Sequence, residues 1–303
     1  MTPARRASLL LSATTLLWGS SFFTMDWGAR GVAARVGAAA APSGFLFLRF
    51  LAAAILQAAI FPGLLRRLSA PLVRAGALLS VPFYLGFILQ TTALALSTST
   101  IVAFLTSLFV VITPLIGRLF FRERAGVGVV TGAVVSLAGV WVMTDPAGGL
   151  GRGELLGIAC AVAFAFQIQM TNVITKSHSP EAISFVQFVC AVIYSGITLA
   201  AMRVSPGELF RSLGERQVAW TVLYLAGACS VVAIGVLNRY QRDISAARAS
   251  VIYMAEPVIA AIFAAALAME PMTLRKALGG AIILAGNLVC ELIDRRAPEE
   301  KEA

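Results

Sequence analysis

Apolar residues in this chain do not alternate with polar ones at the spacing of a half-buried helix or strand. They gather into runs of roughly twenty, the length an α-helix needs to cross the hydrocarbon core of a bilayer, divided by short stretches rich in Arg, Gly and Pro. Ten such runs can be drawn, over residues 7–25, 43–62, 72–96, 98–121, 124–143, 153–175, 181–202, 218–238, 246–269 and 272–293. The pattern predicts an all-α polytopic membrane protein with ten transmembrane helices. The longest connections, 26–42 and 203–217, are too short to fold as soluble domains, so the chemistry has to lie within or across the membrane.

Composition agrees: 59% of the 303 residues are hydrophobic and only 13% charged, with a mean hydropathy of +0.86, where soluble domains carry about 25% charged residues. The net charge of +9 suits nucleic acid in a soluble protein. In a membrane protein it is the cytoplasmic excess of Lys and Arg that sets orientation, and no nucleic-acid partner is expected. With the N-terminus inside, fifteen of the 24 Lys and Arg residues fall on the cytoplasmic side and eight outside, with Arg49 alone inside a span. Both termini are therefore expected in the cytoplasm, residues 294–303 as a tail, and the protein in a plasma membrane, the bacterial inner membrane. Cys160, Cys190, Cys229 and Cys290 lie one per span without paired spacing, which supports neither a disulfide framework nor a metal site; no cofactor is expected. Two arginines before the first apolar run also fit a signal peptide, but the run is long for one and the repeat described next needs it, so it is expected to be retained.

The chain repeats itself. A shift of 147 residues lays "STSTIVAFLTSLFVVITPLIGRLFFRE" (97–123) on "ISAARASVIYMAEPVIAAIFAAALAME" (244–270), Glu123 on Glu270, Gly132 on Gly279, Ala138 on Ala285 and Gly139 on Gly286. A shift of 146 fits the first span to the sixth, Ser21 on Gln167 and Asp26 on Asn172, and one of 138 fits the second to the seventh, Arg49 on Gln187. The changed shift places an insertion in the outer loop around 28–41. Two repeats of five helices, 7–143 and 153–293, enter the membrane from opposite sides because five is odd. Such inverted repeats are typical of secondary transporters working around a site near the midplane.

"LLWGSSF" in the first span, "STSTIVAFLTSLFVVITPLIGRLFFRER" in the fourth, "ARASVIYMAEPVIAAIFAAALAMEPMT" in the ninth and "GGAIILAGNLV" in the tenth resemble the drug/metabolite transporter (DMT) superfamily, EamA-type permeases. The resemblance runs from about Ser8 to Leu292 and departs in the extended loop after the first span. It implies ten helices in two inverted repeats, permease or exporter activity on small metabolites such as amino acids, and a central cavity lined by the first, third, fourth, sixth, eighth and ninth helices.

Within that frame Glu256 is the sharpest candidate. Ionisable groups inside a membrane are costly and usually face a cavity or partner, and desolvation penalises the charged carboxylate, which suits a proton-coupling or cation-binding group. A structural reading stands beside it: Pro257 cannot donate a backbone hydrogen bond, which frees the Tyr253 carbonyl for a neutral Glu256 to approach. Pro257 is expected to bend the ninth helix. Tyr253 shares the Glu256 face, matched in the fourth span by Ser99, Ala103, Thr106 and Thr113, beside Pro114. Gln167, Gln169 and Asn172 give the sixth span an unusual amide density. Trp18, Ser20 and Ser21 in the first span, Tyr84, Gln90 and Thr91 in the third, and Asn238 ending the eighth complete the substrate or coupling candidates. Each has packing as its alternative. Arg49, about six residues into the second span, reads first as a snorkelling cation and second as the partner of a carboxylate in the protein or of a substrate carboxyl. With lysine absent from the spans, a sugar-phosphate or nucleotide-sugar carrier is the less favoured alternative, as is a channel or facilitator without proton coupling. Small-residue ridges, Gly128, Gly132 and Ser136 in the fifth span and Ala277, Ala281 and Ala285 in the tenth, read as helix contacts and serve a homodimer equally well. The single histidine, His178, sits at a span end, so metalloprotease and serine–histidine chemistry inside the bilayer are unavailable and no enzyme is expected. The partners expected are a small-molecule substrate, the lipid bilayer and protons.

Overall fold

The computed structural model describes residues 3–121, 127–143, 150–267 and 271–294; Glu123, Glu270 and the tail beyond 294 lie outside them. Helices account for almost all of the described chain. The first, second, third, sixth and seventh spans are single helices, Pro3–Val36, Ala41–Ile60, Ala70–Leu94, Arg152–Ile174 and Pro180–Ala201. The fourth and ninth are each broken into two, Ser99–Thr106 with Phe109–Phe120 and Ala246–Tyr253 with Ala255–Ala266. The eighth runs from Arg216 through a π-helical stretch, Leu225–Val232, to Tyr240. Among the described residues, eight helices are long and apolar enough to cross a bilayer. The fifth, Val127–Met143, is shorter, and the tenth, Leu274–Asp294, packs along it. The chain is a multi-pass integral membrane protein.

The halves repeat in their local structure. Thr98 and Ser245, related by the 147 shift, each cap their helix by accepting from the backbone N–H three residues on, at 3.4 and 3.2 Å. Pro42 and Pro180, related by the 138 shift, each sit in the first turn of theirs, where the missing N–H costs nothing. Neighbour relations follow. The first span packs on the ninth as the sixth packs on the fourth, and the third on the sixth as the first on the eighth. The second meets the seventh and the fifth meets the tenth, pairs that exchange of halves returns to themselves.

The fifth and tenth spans show the symmetry atom by atom. A Cβ on Gly139 would fall 2.6 Å from Ile283 N and 2.8 Å from Gly279 O; one on Gly286 would fall 2.6 Å from Ser136 N and 2.8 Å from Gly132 O. Those partners are themselves 147-related pairs. Gly139 lies against Gly279 and Ile283 while the earlier Gly132 and Ser136 lie against the later Gly286, so the helices are antiparallel, which puts the two-fold in the membrane plane. Of the two predicted ridges, Gly132 and Ser136 are buried at this crossing, whereas Ala277, Ala281 and Ala285 are exposed. The tenth helix turns its opposite face, Gly279, Ile283 and Gly286, inward. Side chains at Gly128 and Cys290 lie outside the description.

Two expectations fail here. The stretch 26–42 is mostly not a loop: the first helix runs 34 residues without a break, about 51 Å at 1.5 Å per residue, and so protrudes beyond the bilayer core. It ends where Gly37 adopts φ +83° and donates to Ala33 O at 2.9 Å, the left-handed stop that glycine makes without strain. The fourth span breaks at Ser107 and Leu108, and its second helix passes through Pro114. Second, Arg49 does not snorkel. It is fully buried, and the reason lies in its neighbours, described below.

Candidate functional site

The two interrupted helices meet across the fold's centre. The ninth breaks at Met254, between Tyr253 and Glu256 and immediately before Pro257, as a proline lacking its N–H dictates. The fourth breaks at Ser107, the residue related to Met254 by the 147 shift, without a proline in that turn. There Ser107 Oγ donates to Phe104 O at 2.7 Å, and the Asn287 amide of the tenth span donates to Ser107 O at 3.4 Å.

Between these breaks lies a cavity of about 60 Å³, counted as space open to the centre of a water molecule. One water needs about 10–15 Å³ by that measure, so there is room for a small solute group and a few waters. Its walls come from the six spans that the resemblance implies: Trp18 and Ser21; Phe83, Phe87 and Gln90; Thr106 and Phe109; Phe164, Gln167 and Ile168; Ile234 and Leu237; Tyr253 and Glu256. Trp18 stands edge-on to Tyr253 at 5.4 Å, and Phe109 does so at 6.3 Å. Glu256 is half-buried, the only carboxylate among the lining residues, and none of them is a cation. An apolar, aromatic wall with a few convergent polar groups is the usual make-up of a small-molecule site.

Trp18 is held from behind. Its Nε1 donates to Cys229 O at 3.1 Å, while Cys229 Sγ lies 3.3 Å from Leu17 O. Both contacts use the π-helical stretch, whose altered register turns a carbonyl out of the helix ladder; such bulges recur at functional sites. Ser20, next to the wall, shares a 2.6 Å hydrogen bond with Tyr224.

The structure brings Trp18, Ser21, Gln90, Thr106, Gln167, Tyr253 and Glu256 together at the cavity and leaves Tyr84, Thr91, Gln169, Asn172, Asn238 and Arg49 outside it. Tyr84, on the third span, packs against the seventh, its ring 5.3 Å from that of Tyr194 and its hydroxyl accepting from Ser195 at 3.3 Å. Thr91 donates to its own helix at Phe87 O. Gln169 reaches across to Thr113 O at 3.1 Å, and Asn172 is half-buried away from the cavity. The Asn238 amide donates to Ser184 and Gln187, both at 2.8 Å. Arg49 is enclosed behind the wall. Tyr84, Gln169, Asn238 and Arg49 join one helix to another. Phe83, Phe87, Phe109, Phe164, Ile168, Ile234 and Leu237 went unnoticed in the sequence. The signal for the third span was present: 83, 87 and 90 share one helical face, and Tyr84 and Thr91 belong to the next face round.

The first and ninth spans touch at Gly19, where a Cβ would lie 2.5 Å from Ile259 Cγ2 and 3.0 Å from Glu256 O. Gly19→Val should therefore push the ninth helix and its carboxylate off the cavity, at an overpacking cost of about 1–3 kcal/mol. Thermal unfolding should show the loss, and flux should fall further than in Gly63→Val, where nothing lies within 4 Å.

Comparison with known proteins places the chain. The EamA-like transporter family model matches it twice, over residues 5–145 and 151–290. An "uncharacterized transporter" of Archaeoglobus fulgidus is 25% identical over 286 residues, 94% of this chain and 86% of the relative. A second from the same organism is 25% identical over 287 residues, 92% of this chain and 96% of the relative. One solved crystal structure superposes with a TM-score of 0.67 at 19% identity, covering 97% of this chain and 99% of that one, a likeness of fold.

Proposed function

Because the chain belongs to the EamA-like transporter family, of the drug/metabolite transporter kind, we propose that it is a secondary carrier exporting small polar or amphipathic metabolites, amino acids among them, by alternating access. The observation that carries this reading is the cavity walled by six spans from both halves, with Glu256 in its lining. The helix breaks at Ser107 and Met254 stand at equivalent places in the two halves, which suits a site that two related packings expose in turn. Glu256 is the coupling carboxyl in this reading: it takes a proton when the cavity is dry and releases it when water enters. Trp18, Tyr253 and Phe109 hold an apolar portion or a cation face, and Gln167, Gln90, Ser21 and Thr106 hold the polar groups of the solute. The absence of cations among the lining residues weighs against a sugar phosphate or nucleotide sugar, for which several would be expected. The distribution of Lys and Arg supports a plasma membrane location with both termini in the cytoplasm.

Uptake of a radiolabelled amino-acid panel into proteoliposomes tests the carrier. The expected result is saturable flux of at least one solute, competed by its analogues and accelerated by the same solute on the far side. Flux that rises linearly with concentration and shows no such acceleration would identify a channel.

A further inference from the structure

The buried arginine of the second span is unused by the cavity as described. Arg49 is wholly enclosed. Its Nε donates to Ser230 Oγ in the π-helical stretch at 3.1 Å, and its Nη1 to Met25 Sδ at 3.2 Å. The rings of Phe50 and Phe87 lie over the guanidinium, 5.2 and 4.7 Å from its carbon. Nη2 has no hydrogen-bond partner, and no carboxylate forms an ion pair with Arg49 among the described residues. A guanidinium has five donors and keeps its charge, so this one is buried with its charge unpaired and a nitrogen unsatisfied. Removing such a group from water is costly unless it is paired; aromatic faces offset only part of that cost.

Phe87 is at once the lid on this guanidinium and part of the cavity wall. Phe83, also in the wall, packs edge-on to it at 5.0 Å. The guanidinium and the space where a solute would sit therefore share one neighbour, the Phe87 ring. We propose that Arg49 is an anion site for the carboxylate of a small solute, reached from the cavity when the Phe87 ring turns aside. Nη2 with a neighbouring nitrogen supplies the parallel pair of N–H donors that a carboxylate accepts. A lone guanidinium matches a single carboxylate; a phosphate dianion would need a second cation. The related residue of the other half, Gln187, is neutral and receives a hydrogen bond from Asn238, so the site has no twin. This inference rests on the carrier reading and narrows its substrates to solutes bearing one carboxylate.

The test is thermal unfolding of the purified full-length chain in detergent, at constant ionic strength, with 4-methylpentanoate against the matched amide, 4-methylpentanamide. The carboxylate should raise the unfolding midpoint and the amide should not. Arg49→Gln should lower the apparent affinity for the carboxylate by about ten- to a hundredfold, the value of a charge-assisted hydrogen bond. Phe87→Ala opens the partition without touching the guanidinium and should enlarge the carboxylate's effect. Equal stabilisation by both probes, stabilisation by neither, or a carboxylate preference that survives Arg49→Gln would overturn the proposal. Should Arg49→Gln fail to fold, Phe87→Ala decides alone, and no gain over wild type rejects the site. Carboxylate-selective stabilisation without flux of any solute would sink the carrier reading and leave the anion site standing. Flux without carboxylate selectivity would do the reverse.

Discussion

Glu256→Gln should abolish the response of solute flux to a pH gradient while exchange without a gradient persists. The amide keeps the shape and the hydrogen-bonding capacity of the carboxyl but cannot gain or lose a proton. Glu256 is the carboxylate in a cavity whose other lining residues are neutral, and no ion pair holds it among the described residues, so its charge is free to change with the water content of the site. A pH difference of one unit is worth about 1.4 kcal/mol per proton. A carrier coupled one-to-one can therefore sustain about a tenfold accumulation from it, and the Gln variant should sustain none. Accumulation in proteoliposomes with and without the gradient measures both quantities. The competing account makes Glu256 only a companion of Pro257. On that account the gradient does nothing in wild type and the variant behaves identically; finding this would remove proton coupling from the mechanism.

The glycines at the crossing of the fifth and tenth spans should tolerate no side chain. Gly139→Leu and Gly286→Leu each drive a Cβ into the backbone of the opposite helix, which cannot rotate away as a side chain can. Gly279→Leu meets Met143 Cα at 2.6 Å. Each should cost about 3 kcal/mol or more, leaving little monodisperse protein after extraction. Ala281→Leu, on the exposed face of the same helix, should stay within about 0.5 kcal/mol of wild type. Because Gly139 and Gly286 exchange places under the repeat, their losses should be similar. Free tolerance of Leu at either would mean that the antiparallel crossing is not as described.

Local chemistry carried much of this fold in the sequence. Runs long enough to span a bilayer, the 147 and 138 shifts and the interruption beside Glu256 can all be read along the chain itself. A missing N–H at Pro257 acts wherever the helix packs. The odd number of spans per repeat then imposes inversion without reference to any contact.

Facing was another matter. A helix that is apolar nearly all round has no single stripe to mark its inner side, and inside a bilayer a polar residue is satisfied equally by a cavity or by a neighbouring helix. Tyr84 and Thr91 thus read like Gln90, although a one-residue offset turned them to other helices. Gln169 and Asn238 went to Thr113 and Ser184, partners 56 and 54 residues away. The break at Ser107 is met by Asn287, 180 residues distant, and no proline marked it. Arg49 lies close enough to the span's end to reach water, yet Ser230, Met25, Phe50 and Phe87 enclose it. The sequence by itself determined which segments cross the membrane, how they repeat and where one of them breaks. Only the tertiary structure decided which polar groups face the cavity, because that depends on which neighbour reaches each group first.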